Sequence, residues 1–198
     1  LVGSEMCIRD RIIVEETLKK SKELLLKNVK INILDLCTGS GAIAVSLSNF
    51  LGDEAEVFAS DISTKALEVA KYNNGKNNTN VRFIESNLFE NIQEQKFNII
   101  VSNPPYIRSN VINNLPKQVQ NEPHLALDGG EDGLKFYKKI IEQACNYIEN
   151  GYLILEIGYD QKEDVENLLK ENKNYSEIKT IQDLSGNDRC VIAKVGKI

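Results

Sequence analysis

The chain has 198 residues, 41% of them hydrophobic, and a net charge of −5. That length suits one domain able to bury a full core. The acidic balance argues against a dedicated nucleic-acid binder, which would carry a basic face. Leu1–Asp10 is too short and too charged for a signal peptide or a membrane span. Its lack of helical or alternating pattern reads as a leader foreign to the domain, as a truncated start or as a divergent one, so residues 1–11 are set apart from a single domain at 12–198. Four cysteines, Cys7, Cys37, Cys145 and Cys190, show neither pairing nor metal spacing. Reduced thiols, a cytoplasmic location and no metal are expected.

A helix is expected over Ile12–Asn28, with Ile13, Leu18, Leu24 and Leu25 as its apolar positions. The strand Ile31–Leu36 follows and runs into Cys37-Thr38-Gly39-Ser40-Gly41, where glycines allow a sharp turn and a close approach of backbone to ligand. The pattern lacks the third glycine of a dinucleotide fingerprint and the Gly-Lys-Ser/Thr of a nucleoside-triphosphate loop. A helix near 41–51 leads to a strand near 55–60 that ends in Asp61. Asp61 lies twenty residues beyond Gly41, where an acidic side chain can hold two ribose hydroxyls. Capping the helix that starts at Ser63 is its plainer role. A helix at 63–74 and a strand at 80–85 complete the first half.

The strand 97–102 ends in Asn103-Pro104-Pro105-Tyr106. In an open α/β sheet, ligands bind at the carboxyl ends of strands. The Asn103 oxygen and the Pro104 carbonyl can each accept one N–H of a planar NH2 group. The prolines fix φ and remove donors, so the turn is rigid. Tyr106 can cover the face of the planar group. The plainer alternative is an ordinary Pro-rich turn. Residues Ile107–Asp132 show no element of their own, and so long a segment beside the motif reads as a substrate-facing loop or lid. His124, with no partner His or Cys pair, reads as a loop residue. Helices near 133–149 and 160–172 flank a strand near 151–157. Strands near 175–182 and 188–195 close the chain around the turn Ser185-Gly186-Asn187. Such alternation argues a mostly parallel sheet with helices on both faces.

A ribose-binding carboxylate without a phosphate cradle suits S-adenosylmethionine, and an NH2-holding turn suits methyl transfer to nitrogen. The chain resembles the release-factor glutamine N5-methyltransferases. The matching stretches are Asp35–Val45, Ala59–Leu67, Asn103–Ile107, Glu122-Pro123, Ala126–Leu134, Leu155–Gly158 and Asp183–Arg189, spread over 12–195. The Asn-Pro-Pro-Tyr motif is shared with amino-methylating DNA enzymes, whereas Ala126–Leu134 and Asp183–Arg189 point to the glutamine family. The resemblance implies a Rossmann-like, class I S-adenosylmethionine-dependent methyltransferase fold: a mostly parallel seven-stranded sheet with a terminal antiparallel hairpin. It implies that Asp35, Thr38, Gly39, Ser40, Gly41, Asp61, Ile62, Asn87, Leu88 and Asn103 bind the cofactor. Asn103, Pro104, Pro105 and Tyr106 would carry catalysis. The acceptor would be the glutamine of a Gly-Gly-Gln loop in a peptide chain release factor, with no direct nucleic-acid or membrane partner, and the enzyme would act as a monomer.

Three departures stand out. Cys37 replaces the family's usual Gly and would be strained at positive φ. Asn87 replaces the usual Asp; its amide oxygen can still accept from an adenine amino group, without the charge. The Pro-Arg-Pro-Glu-Thr-Glu-like segment and helical N-terminal domain of the family are not found in this sequence. A DNA or RNA amino-methyltransferase and an inactive binding fragment remain the alternatives.

Overall fold

Strands buried on both faces need continuous apolar runs, and helices need one apolar stripe; both patterns recur along this chain. The computed structural model describes residues 8–27, 30–116 and 123–196. Its strands are β1 (Ile31–Leu36), β2 (Ala55–Asp61), β3 (Val81–Glu85), β4 (Phe97–Ser102), β5 (Ile148–Glu156), β6 (Tyr175–Gln182) and β7 (Asp188–Val195). They form one seven-stranded sheet in the order β3-β2-β1-β4-β5-β7-β6. All neighbours are parallel except β7, which runs antiparallel to both β5 and β6. The helices are α1 (Ile8–Leu25), α2 (Ala42–Leu51), α3 (Thr64–Lys76), α4 (His124–Leu127), α5 (Lys135–Ala144) and α6 (Lys162–Glu171). None of the described helices is long and apolar enough to cross a membrane.

Side chains alternate between the two faces of the sheet. Leu34, Leu36, Ile100, Leu153 and Leu155 meet Tyr137 and Ile140 of α5 and Val165 and Leu169 of α6. Ile31, Ile33, Ile99, Val101 and Ile154 meet Ile13, Val14 and Leu24 of α1 and Ile43, Val45 and Leu47 of α2. Parallel register aligns the carboxyl ends. Leu36 lies opposite Ser60 on β2 and Ser102 on β4, and Ser102 lies opposite Leu155 on β5. The residues that follow, Cys37, Asp61, Asn103 and Glu156, therefore leave the sheet at one level.

Several boundaries differ from expectation. Helix α1 begins at Ile8 rather than Ile12, and the rest of the expected leader, residues 1–7, lies outside the described residues. Its buried face includes Thr17 and Ser21, whose hydroxyls donate to carbonyls four residues back, at 2.7 and 2.8 Å. Polar residues satisfied within their own helix do not show in an apolar count. Strand β5 starts at Ile148 rather than 151. Phe97 pairs with Ile148 while Ile99 pairs with Tyr152, so Glu149 and Asn150 form a bulge. Helix α5 accordingly stops at Ala144. The segment 107–132 is more structured than its composition suggests. It holds a 3-10 turn at Ser109–Asn114, helix α4 and a parallel bridge between Ile107 and Asp128. Residues 117–122 of it, Glu122 included, lie outside the described residues.

The β4–β5 bulge depends on Gly151, where an added Cβ would stand 1.7 Å from the Asn98 carbonyl oxygen. Gly151→Ala should cost roughly 1–3 kcal/mol as overpacking. Thermal unfolding reads this as a midpoint lower by about 2–4 °C per kcal/mol at this chain length. An unchanged midpoint would mean that the bulge opens without strain.

Candidate active site

The turn after β1 is built on a buried carboxylate. Asp35 Oδ2 accepts from the Thr38 hydroxyl at 2.6 Å and from the Ala44 amide at 3.1 Å. One fully buried side chain thus ties the loop to the first turn of α2. The Thr38 amide donates to Ser60 O of β2 at 2.9 Å. The two glycines serve different ends. A Cβ at Gly41 (φ 80°) would meet the Ala70 Cβ of α3 at 2.9 Å, so this glycine lets two helices close up. A Cβ at Gly39 (φ 55°) would meet nothing within 4 Å, so its backbone faces open space. Cys37 does adopt the left-handed region, at φ 64°. Burial, and secondly the charge of Asp61, push its thiol up to about 12.

Asp61 is not the cap of α3. Ser63 takes that place, its side chain accepting from the Ala66 amide at 3.2 Å. The Asp61 oxygens accept one backbone N–H each, Oδ2 from Gly39 at 2.8 Å and Oδ1 from Ser63 at 2.9 Å. The carboxylate is held at both oxygens while each keeps a lone pair. After β3, the Asn87 amide donates to Glu90 at 2.8 Å, which turns its oxygen the other way. Leu88, at φ 51°, is buried beside it.

Beyond β4, the Ser102 hydroxyl donates to Leu36 O at 2.6 Å, fixing the Asn103–Tyr106 turn against the β1 loop. The Tyr106 hydroxyl lies 3.4 Å from Oε1 of Glu156, a carboxylate only 1% exposed. The Tyr137 hydroxyl donates to the Glu156 carbonyl at 2.8 Å and pins that strand end. The Ala126–Leu134 stretch packs behind the turn. A Cβ at Gly129 would lie 2.7 Å from the Tyr106 Cα, so only glycine allows the two backbones to approach. The Ile107 amide donates to Leu127 O at 2.9 Å and the Gly129 amide to Ile107 O at 2.8 Å. Asp128 braces the same loop by accepting from the Ser109 hydroxyl and the Gly130 amide, and those two bonds hold its carboxyl below the usual carboxylate range.

These pieces enclose a cavity of about 650 Å³, within the range of small-molecule sites. Its wall contains Thr38, Gly39, Ser40, Asp61, Ile62, Asn87, Leu88 and Asn103–Tyr106. Asp35 and Gly41 stand behind that wall and shape it. The Asp183–Arg189 match forms the β6–β7 turn instead. There Asp183 accepts from Arg189 Nε at 2.8 Å and from the Ser185 and Asn187 amides at 2.9 Å, and Arg189 first, then the Asn187 amide, hold its carboxyl down to about 2. Sequence reasoning missed Ser63, Ser86, Leu125–Leu127, Lys135, Phe136 and Lys139 in the cavity wall. The advance signals for Leu125–Leu127 were the length of the segment that carries them and the Ala126–Leu134 match, neither of which singled out the residues.

Residues 11–121 match the family described as the methyltransferase small domain. The chain is 40% identical over 189 residues to the release factor glutamine methyltransferase of Thermodesulfovibrio yellowstonii, across 94% of this chain and 66% of that protein. It is 36% identical over 201 residues to that of Streptococcus pneumoniae, across 98% and 71%. The chain spans from about half to about two thirds of the first relatives it matches, 51% in one case and 66% in another. Among solved structures, a methyltransferase from Pyrococcus furiosus superposes with a TM-score of 0.63 at 23% identity, across 89% of this chain and 82% of that one. That likeness shows the fold.

Cys37→Gly should relieve left-handed strain of about 1–2 kcal/mol against a backbone-entropy cost of about 0.5–1 kcal/mol. The expected outcome is a small gain in stability, measured by urea denaturation. A loss would mean that the Cys37 side chain contributes more packing than its backbone costs.

Proposed function

The chain belongs to the release factor glutamine methyltransferase family, within the small-domain methyltransferases, and from that premise we propose that it methylates a side-chain amide nitrogen of a protein glutamine, with S-adenosylmethionine as donor. One observation carries this: a single cavity joins Asp61 and the open Gly39 backbone to the Asn103–Tyr106 turn, all at one level of the sheet.

The residues fit the cofactor. Asp61, already oriented by two backbone N–H groups, would accept from ribose hydroxyls. The Gly39 loop leaves room for close approach. Ile62 and Leu88 supply apolar walls, and the Asn87 oxygen would accept from the adenine amino group. When bound, the cofactor supplies an activated methyl group on a good leaving group. Asn103 and the Pro104 carbonyl accept the two N–H bonds of the glutamine amide and aim its nitrogen, and Tyr106 covers the amide face. Orientation of this kind supplies much of the acceleration. With the methyl donor bound there, the amide nitrogen would gain the methyl and lose one proton to water, the carbon–sulfur bond breaking with its electron pair left on sulfur. Leu125–Leu127 line the same cavity, Leu125 exposed and Leu127 buried, so a bound acceptor would cover apolar surface there and the water it displaces would strengthen the polar contacts.

The acceptor we propose is the glutamine of a Gly-Gly-Gln loop in a peptide chain release factor. A flexible loop presents an amide to a narrow cavity without the few kcal/mol needed to flip a base out of a duplex, and the net charge of −5 disfavours a polyanion. The enzyme acts as a monomer in the cytoplasm.

Asp61→Ala should weaken cofactor binding by roughly 1.5–3 kcal/mol, the loss of charge-assisted hydrogen bonds. Unchanged affinity by calorimetry in the folded variant would refute the ribose assignment. Asn103→Ala should keep cofactor affinity nearly intact and transfer nothing; an active Asn103→Ala protein would sink the mechanism. With methyl-labelled cofactor, label should enter a release factor, vanish when its loop Gln becomes Glu, and stay out of DNA. Labelling of DNA adenine with none in a release factor would overturn the acceptor.

A further inference from the structure

We infer that Gln161 is a positioning residue of the acceptor turn, holding the Tyr106 end of Asn103–Tyr106 in place from behind without touching the cofactor side of the cavity. The inference rests on the methyl-transfer reading of that turn.

Gln161 opens α6 and is 2% exposed. Its amide uses both ends. Nε2 donates to the Tyr106 carbonyl at 3.0 Å and to the Gly133 carbonyl at 3.2 Å. Oε1 accepts from the Gly158 amide at 3.0 Å. One side chain thus joins the turn after β4, the loop before α5 and the corner after β5. An amide is the group suited to this task, since it offers two donors and an acceptor with no charge to desolvate. The fit is tight. A Cβ at Gly133 would lie 2.6 Å from the Tyr106 oxygen and 2.7 Å from Gln161 Nε2. Exposed Arg108 and Asp160, paired at 2.9 Å, run alongside the same junction but are open to solvent screening. The buried amide is therefore the stronger tie.

The cofactor side has its own brace. Asp35 and Asp61 fix the glycine turn through Thr38, Ala44, Gly39 and Ser63. Gln161 instead bonds to Tyr106, Gly133 and Gly158. The cavity is thus assembled from two halves with separate side-chain braces, joined at the floor by the Ser102 hydroxyl bond to Leu36 O. Loosening Gln161 shifts Tyr106, and with it the direction in which the acceptor amide is held, while the ribose-binding carboxylate stays where it is. Misplacement by about 1 Å is enough to cost a hundredfold in rate.

The test uses Gln161→Leu, which removes all three bonds, and Gln161→Glu, which keeps the acceptor for Gly158 and regains one donor only when protonated. Each is checked for folding by thermal denaturation. Cofactor affinity by calorimetry should stay within about twofold of the parent chain. The kcat should fall about 10–100-fold in Gln161→Leu. In Gln161→Glu it should recover relative to the parent as pH falls, a dependence that Gln161→Leu lacks. Hydrogen exchange should speed up at the Ile107 and Gly129 amides and stay unchanged at Gly39 and Ala44. Unaltered exchange at Ile107 and Gly129 in either folded variant overturns the inference, as does affinity for cofactor that falls in step with kcat. The exchange measurement needs no acceptor, so it stands apart from the function. A parent chain that methylates no Gly-Gly-Gln substrate defeats the proposed reaction and leaves the exchange result to decide the role of Gln161.

Discussion

The 2.6 Å hydrogen bond from the Ser102 hydroxyl to the Leu36 carbonyl is the contact on which the arrangement of the cavity depends. Strands β1 and β4 are neighbours, yet their continuations depart in opposite directions, one through α2 toward β2, the other toward β5. A crevice must open at such a point. The hydroxyl spans its floor and fixes the height of one lip against the other. Because parallel register carries that height sideways to Ser60 and Leu155, the groups on both lips stand at one level of the sheet rather than spread along the length of a strand. A slip of one residue in β4 would turn Asn103 to the opposite face of the sheet.

Around this floor the backbone departs from relaxed geometry. Cys37 at φ 64° and Leu88 at φ 51° are L-residues in the left-handed region, and both lie in the cavity wall. Strain of this kind persists only where surrounding contacts over-determine it. Here they do. The Ser86 hydroxyl donates to Leu88 O at 2.7 Å while accepting from the Asn91 amide at 3.0 Å, and the Thr38 amide is bonded to β2.

Much of this was legible in the sequence, and the reason is local. The strands and the glycine and proline turns announce themselves because apolar periodicity, positive φ and missing donors are properties of single residues and near neighbours. Asp61 was recognisable by its distance from Gly41, although Ser63, not Asp61, caps α3. The long segment after Tyr106 looked unstructured because its order comes from elsewhere: Gly129 and Gly133 fit against the Tyr106 backbone, and Asp128 gathers Ser109 and Gly130. Gln161 carries no local signal at all. A glutamine at the start of an amphipathic helix is unremarkable until two other segments bring their carbonyls to it. The start of β5 was misplaced for a similar reason, since a bulge through Glu149 and Asn150 is specified by pairing with Phe97.

Strand β7 lies between β5 and β6, although β6 precedes it in the chain. Strand β6 has β7 as its pairing partner and so emerges during synthesis before any strand exists to receive it. Until β7 arrives, β5 presents an open edge and the half-made sheet has an unpaired flank of the kind that recruits other chains. The wedge between them must be delivered last, and its insertion seals both ladders at once. Completion of the domain is therefore tied to a single late event in the life of the chain, and a ribosome that stalls before Asp188 leaves a species with every described cavity-lining residue already made and no complete sheet to hold them.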